Sequence, residues 1–119
     1  MPRRRATWLV LLRAREVLLE KRPSRGLWGG LWSFPETAEK DVVSYCRRSF
    51  GCEIASTKKL APLEHGFTHF HLRIRPLLCA VKRATPAAES PGRLWLGLDE
   101  AHGAAVPAPV RKLLERLAA

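Results

Sequence analysis

The chain is short of acid. It has 11 Asp and Glu against 21 Lys and Arg, a formal charge of +10 over 119 residues. That balance favours a polyanion as partner, nucleic acid ahead of a membrane surface, because no basic amphipathic membrane helix stands out. Cysteine is also scarce. Cys46, Cys52 and Cys79 are odd in number and form no C-x-x-C, which excludes a fully paired disulfide framework and points to reduced thiols. Two of the three are expected to pack as small hydrophobes. No apolar run approaches the roughly 20 residues that a membrane span needs, since "WLVLLRAREVLLEKR" is broken by Arg13, Arg15 and Glu16. "MPRRR" carries charge with no signal-peptide hydrophobic region behind it. No membrane partner is therefore expected, and a cytoplasmic location is.

What is present suffices for one globular domain, with 46% hydrophobic residues and no repeat or low-complexity tract. "TWLVLL" (7–12) and "VLLEK" (17–21) read as strands joined through "RARE". "RPSRGLWGGLWSFPE" reads as a Gly- and Pro-rich loop with a short strand near Leu31 to Phe34. Thr37 can cap a helix of about three turns, with Val42, Val43, Cys46 and Phe50 on its inner face and Gly51 as its stop. Phe70, Leu72 and Ile74 alternate with His69, His71, Arg73 and Arg75, so a strand there has one apolar and one basic face, with breaks expected at Gly66 and Pro76. "RLWLGL" reads as a strand and "DEAHG" as a helical turn. Pro109 opens a last helix whose buried stripe is Val110, Leu113, Leu114 and Leu117. Strands, a helix, more strands and a closing helix predict an α/β fold, a mixed sheet packed between helices.

One stretch has the frame of a catalytic site without its acids. Gly30, Glu36, Cys46, Gly51 and Cys52 resemble the Nudix box, Gly-x5-Glu-x7-Arg-Glu-hydrophobic-x-Glu-Glu-x-Gly-hydrophobic. Ser44 stands at its arginine, and Tyr45, Arg48 and Ser49 stand at its helical glutamates. The resemblance implies a Nudix-like fold. It also implies that the Mg²⁺ chemistry is gone, because hard divalent cations need carboxylate oxygens and a cation at Arg48 repels them. Glu36 alone reads as a surface carboxylate near a helix N-terminus. His65, His69 and His71 have the parity of one strand face. Gly66 interrupts that strand, no Cys or acid completes the set, and Glu64 should face the other way, so no metal is expected.

A second stretch is more specific. "HGFTHFHL", His65 to Leu72, resembles the H-x-F-[ST]-H-F-x-L signature in the C-terminal domain of the MutY family of adenine DNA glycosylases. "LLEKRPSRGLWGGLWSFPE", Trp95 and "VPAPVRKLL" agree with it in order, so the resemblance covers nearly the whole chain. It implies recognition of 8-oxoguanine opposite adenine in double-stranded DNA, through Phe67, Thr68 and His69. The chemistry is coherent. Guanine N7 is an acceptor, and oxidation at C8 makes it an N–H donor beside a new carbonyl. The Thr68 hydroxyl donates and accepts, so it suits either atom. Phe67 wedges against a base step or joins the core, and His69 orients the loop or meets a phosphate.

The same resemblance implies that excision acids, a helix-hairpin-helix module and a [4Fe-4S] cluster belong to an N-terminal catalytic domain that partners this one. This chain then has no catalytic residue and no cofactor of its own. Residues 1–5 are expected to be a disordered linker remnant, with a single Nudix-like domain over 6–119. Arg73, Arg75, Arg111 and Lys112 are the expected phosphate contacts. The rival expectations are a stand-alone metal-dependent Nudix hydrolase of oxidised nucleotides, and a non-catalytic nucleic-acid or protein binding module.

Overall fold

The computed structural model describes residues 2–119. The hairpin at the front is β1 (Arg3–Arg13) and β2 (Glu16–Lys21), turned through Ala14 at φ 54°. The two strands pair only at the hairpin end, Leu12 with Val17 and Arg13 with Glu16. Beyond that they splay apart, and residues 32–37 fill the gap. Within that segment β3 (Trp32–Ser33) pairs with β2. Its continuation hydrogen-bonds to β1, Leu9 N donating to Pro35 O at 2.8 Å and Thr37 N to Thr7 O at 3.2 Å.

Helix α1 (Val42–Phe50) follows, then β4 (Cys52–Lys59), β5 (Leu63–Gly66) and the long β6 (His71–Ala84). A 3-10 turn over Pro86–Glu89, β7 (Arg93–Gly97), a second 3-10 turn over Leu98–Gly103 and α2 (Ala108–Ala118) complete the chain. The sheet is mixed. β1 runs parallel to β6, while every other pairing is antiparallel.

Alternation along β1 separates two cores. Trp8 and Val10 face α2 with Phe34, Ile74, Val110, Leu113 and Leu114. Leu9 and Leu11 face α1 with Cys46, Phe50, Cys52 and Cys79. Each fully buried side chain of this size contributes about 1.5–3 kcal/mol, and a one-residue slip in register would reverse both faces. The expected mixed sheet between helices is what forms.

Several local expectations are corrected. Residues 3–5 are strand rather than linker, because Arg3, Arg4 and Arg5 pair in register with His71, Leu72 and Arg73; Met1 lies outside the described residues. The cap of α1 is Asp41, whose side chain accepts from Ser44 N, and not Thr37. Thr37 is held to β1, so the helix starts only after the chain has left the sheet. Val43 is exposed, leaving Cys46 and Phe50 as the buried anchors of α1. Gly51 ends that helix at φ 62°, as expected. Strand β4 had no counterpart in the sequence reading. Pro76 breaks nothing. β6 pairs with β5 through His71 to Ile74 and with β4 from Leu77 on, so Pro76 sits where no antiparallel ladder bond is lost, and its carbonyl still accepts from Leu60 N at 3.0 Å.

Candidate functional site

The turn between β5 and β6 presents the expected recognition residues. Phe67 N donates to Phe70 O at 2.8 Å, closing a four-residue turn with Thr68 and His69 at its tip. Both tip residues are exposed, while Phe67 and Phe70 are half-buried. Their rings stack, with centroids 4.6 Å apart and planes at 24°. His65 meets Phe67 edge-on, with ring centroids 4.6 Å apart. Trp28 stands behind both, 5.4 Å from Phe67 and 5.8 Å from His65, and rests in turn on the fully buried Trp8 at 6.2 Å. The guanidinium of Arg4 covers the Phe70 ring at 4.5 Å. Aromatic contacts of this geometry add about 0.5–1.5 kcal/mol each beyond area burial. The hydroxyl of Thr68 and the ring of His69 thus stand in solvent on a stiff aromatic base anchored to the core. Phe67 belongs to that base.

Trp28 is the residue that sequence reasoning passed over as part of this site. It lies at φ 55°, a left-handed conformation rare for a bulky side chain. The loop around it is closed by Gly30 N donating to Arg22 O and Leu31 N to Trp28 O, both at 3.1 Å. Gly29 allows that closure, since a Cβ there would lie 2.3 Å from Ser24 O. A tryptophan set among glycines was the available signal.

The box region is occupied by ion pairs instead of a metal site. Glu36 accepts from Arg22 at 3.2 Å, and Arg48 donates to Glu39 at 2.8 Å. Tyr45 packs edge-on against Phe50. Among the described residues no cluster of three His, Cys, Asp or Glu side chains could hold a metal. The histidines do not share a face. His65 belongs to the aromatic base, whereas His71 meets Glu64 at 3.5 Å on the opposite side of the sheet. Glu64, expected to point away from the histidines, therefore joins His71, and it also accepts from Arg73 at 3.0 Å. The hydrogen bond from Arg73 is the main cause holding the Glu64 carboxyl below its ordinary range.

The expected phosphate contacts separate. Arg73 and Arg75 are exposed on β6 beside the turn. Arg111 is engaged elsewhere, donating to the carbonyls of Ala101, His102 and Ala104, so it anchors α2 to the preceding 3-10 turn. Lys112 is exposed on α2, which covers the other face of the sheet from Arg73 and Arg75.

The comparisons bear on the fold and the family. A NUDIX domain family model matches residues 7–116. The adenine DNA glycosylase of Buchnera aphidicola (subsp. Baizongia pistaciae) is 23% identical over 118 residues, covering 98% of this chain and 33% of that protein. The human adenine DNA glycosylase is 29% identical over 108 residues, covering 82% of this chain and 20% of that protein. This chain therefore spans a third or less of the length of these relatives. Among solved structures, the C-terminal domain of mouse MUTYH, in complex with human PCNA, has 25% identity and a TM-score of 0.74, covering 95% of this chain and 85% of that one. The MutT NUDIX hydrolase of Burkholderia pseudomallei shares the fold, with a TM-score of 0.71 at 19% identity over 97% of this chain and 98% of that one. Matched along nearly its whole length, the chain belongs to the NUDIX domain family, and its likeness within that family is to the C-terminal domain of adenine DNA glycosylases.

Proposed function

We propose that this domain recognises 8-oxoguanine opposite adenine in duplex DNA, and directs a separate glycosylase domain to excise the adenine. The observation that carries the reading is the exposed Thr68–His69 tip, held on the ring base of Phe67, Phe70, His65 and Trp28. A hydroxyl at such a tip can donate to the C8 carbonyl or accept from N7–H of the oxidised base. A lone hydroxyl also tolerates guanine, so backbone groups of the turn share the discrimination. His69, exposed beside Thr68, meets the same lesion or its phosphate on this reading. Arg73 and Arg75 serve as phosphate contacts, fixing register without reading sequence.

The excision acids and the [4Fe-4S] cluster belong, on this reading, to the N-terminal catalytic partner, and this chain alone catalyses nothing. The donor set left in the box supports that view. Tyr45, Arg48 and Ser49 cannot supply the carboxylate oxygens that Mg²⁺ requires. On this reading the domain acts in a bacterial cytoplasm, held at the nucleoid through DNA.

The test joins the domain to its glycosylase domain and measures adenine excision opposite 8-oxoguanine and opposite guanine. Thr68→Val should shrink the ratio of the two rates, and Phe67→Ala should do so through loss of the turn. An unchanged ratio in both variants would refute the role of the turn. Mg²⁺-dependent release of phosphate or pyrophosphate from nucleoside triphosphates by this chain alone would establish the hydrolase instead.

A further inference from the structure

The start of β1 lays a ladder of like charge on the sheet. Parallel pairing sets Arg3 beside His71, Arg5 beside Arg73 and Thr7 beside Arg75, each pair sharing a face. That face continues through Leu9, Leu11 and Cys79 into the core under α1. It is left uncovered before the helix begins. Lys59, opposite Leu77, adds a fourth row from β4.

Three connected hollows follow these rows. One of about 470 Å³ lies along Arg3 to Arg5 and is lined as well by Glu64, His71, Arg73 and Arg75. A second of about 470 Å³ joins Arg5 and Arg75 to Thr7 and Thr37. The third, about 620 Å³, extends past Arg75 to Lys59 and Lys40. The acids along this trench are already engaged, Glu36 by Arg22, Glu39 by Arg48 and Glu64 by Arg73 and His71. Arg3, Arg5, Arg75, Lys40 and Lys59 have no ion-pair partner among the described residues.

Arg5 lies beside Arg73 on the same face, and the Glu64 carboxylate on Arg73 eases their repulsion only in part, so the free protein holds net positive charge along these rows. A bound polyanion relieves that repulsion. The rows repeat every second residue, about 6.6 Å apart at the rise of a parallel strand. This is close to the separation of consecutive phosphates along one nucleic-acid strand. From His71 to Leu77 the trench runs about 20 Å, longer than a single nucleotide can occupy.

We propose that this trench binds one nucleic-acid strand by its phosphates, lengthwise along β1 and β6, delivering that strand to the Phe67–Phe70 turn at its end. The assignment rests on the reading of the partner as DNA, and it adds Arg3, Arg5, Lys40 and Lys59 to the interface.

Fluorescence anisotropy with labelled oligothymidylates of increasing length, and with a duplex, tests it on this chain. Affinity should climb until about four phosphates are present, one per row, and then level off. Neutralising Arg3→Gln, Arg5→Gln and Arg75→Gln should each lower the slope of log K against log salt by about 0.7 on single strands. Neutral variants on α2 outside the expected contacts, such as Arg116→Gln on the far face, should leave it unchanged. Arg5→Thr should also raise the Tm of the free chain while weakening binding, a combination that a merely structural arginine would not give.

Slopes that respond to the α2 variants and not to the trench variants would overturn the trench while leaving DNA as partner. Saturable nucleoside triphosphate binding with no dependence on oligonucleotide length would overturn it in favour of a compact ligand. Absence of binding to any oligonucleotide at low salt would overturn it too. The excision ratio of Thr68→Val in the joined protein judges the parent reading separately.

Discussion

The Phe67→Ala variant distinguishes a ring that supports the recognition turn from one that is free to insert into DNA. Truncating a fully buried Phe costs about 3–5 kcal/mol. Phe67 is half-buried, and its contacts are to Phe70 and His65 at 4.6 Å and Trp28 at 5.4 Å. About half the full cost, ~2 kcal/mol, is therefore expected, with the aromatic contacts contained in that figure. For a domain of this size the shift is a Tm lower by about 8 °C, taking ~4 °C per kcal/mol. Urea and thermal unfolding followed by tryptophan fluorescence and circular dichroism measure it, and Phe67→Leu should recover about half of the loss. Thr68→Val, at the exposed tip, should stay within ~0.5 kcal/mol of the parent. A loss below about 0.5 kcal/mol for Phe67→Ala would refute the reasoning, since a ring so loosely held is available as a wedge.

Three further outcomes follow from the geometry. Gly51→Ala should destabilise by at least ~2 kcal/mol, because φ is 62° there and a Cβ would lie 1.9 Å from Thr85 Oγ1. Pairing it with Thr85→Ala should cost less than the two single changes added, and strict additivity in chemical denaturation would contradict the clash. Asp41, Glu53, Glu64 and Asp99 are held below their ordinary carboxylate ranges by hydrogen bonds from Ser44 N, Arg83, Arg73 and Arg15. Their folded values are depressed, so their contribution is complete above the unfolded values near ~4 and is lost as pH falls through the folded ones. Tm should be flat for these groups from neutrality to about pH 5 and fall below about pH 4, and a carboxylate-linked fall beginning above pH 5 would contradict the assignment. Burial pushes the Cys52 thiol up to about 11; the hydrogen bond between Cys46 and Cys79 raises Cys46 and lowers Cys79, and all three side chains are buried. All three thiols should label with a disulfide reagent at pH 8 only as fast as the protein unfolds, and rapid labelling of the native chain would disprove their enclosure.

Much of the fold was legible because apolar periodicity and turn chemistry are local. Gly51 as helix stop, Leu72 and Ile74 as an inward face, and the Val110–Leu114 stripe needed no tertiary knowledge. What escaped notice depended on distant partners. β4 begins Cys-Glu-Ile and then turns polar through Ser56 to Lys59, so only its pairing with β6 reveals a strand. Thr37 has the chemistry of a cap, yet Thr7 claims its backbone first. Arg3 to Arg5 look like a tail until His71 to Arg73 are found alongside them. The candidate turn was legible as a motif, but the Trp28 behind it was not, because its role depends on a left-handed turn and on Trp8 from another strand.

Strand β6 has a consequence for how this sequence can change. Its odd-numbered residues supply His71, Arg73 and Arg75 to the surface and then Cys79 to the interior under α1, while Leu72 and Ile74 fill the other core. Charge and packing are thus written into one alternation, on one continuous strand. A single inserted or deleted residue between His71 and Cys79 would exchange the two roles over part of its length, driving guanidinium groups toward Val110 and Leu113 and bringing leucine and isoleucine into water. Substitutions along this strand can be absorbed one at a time. Changes of length cannot, so insertions and deletions should be tolerated in the Arg22–Leu31 loop or between Ala84 and Arg93, and be lethal to folding between His71 and Cys79.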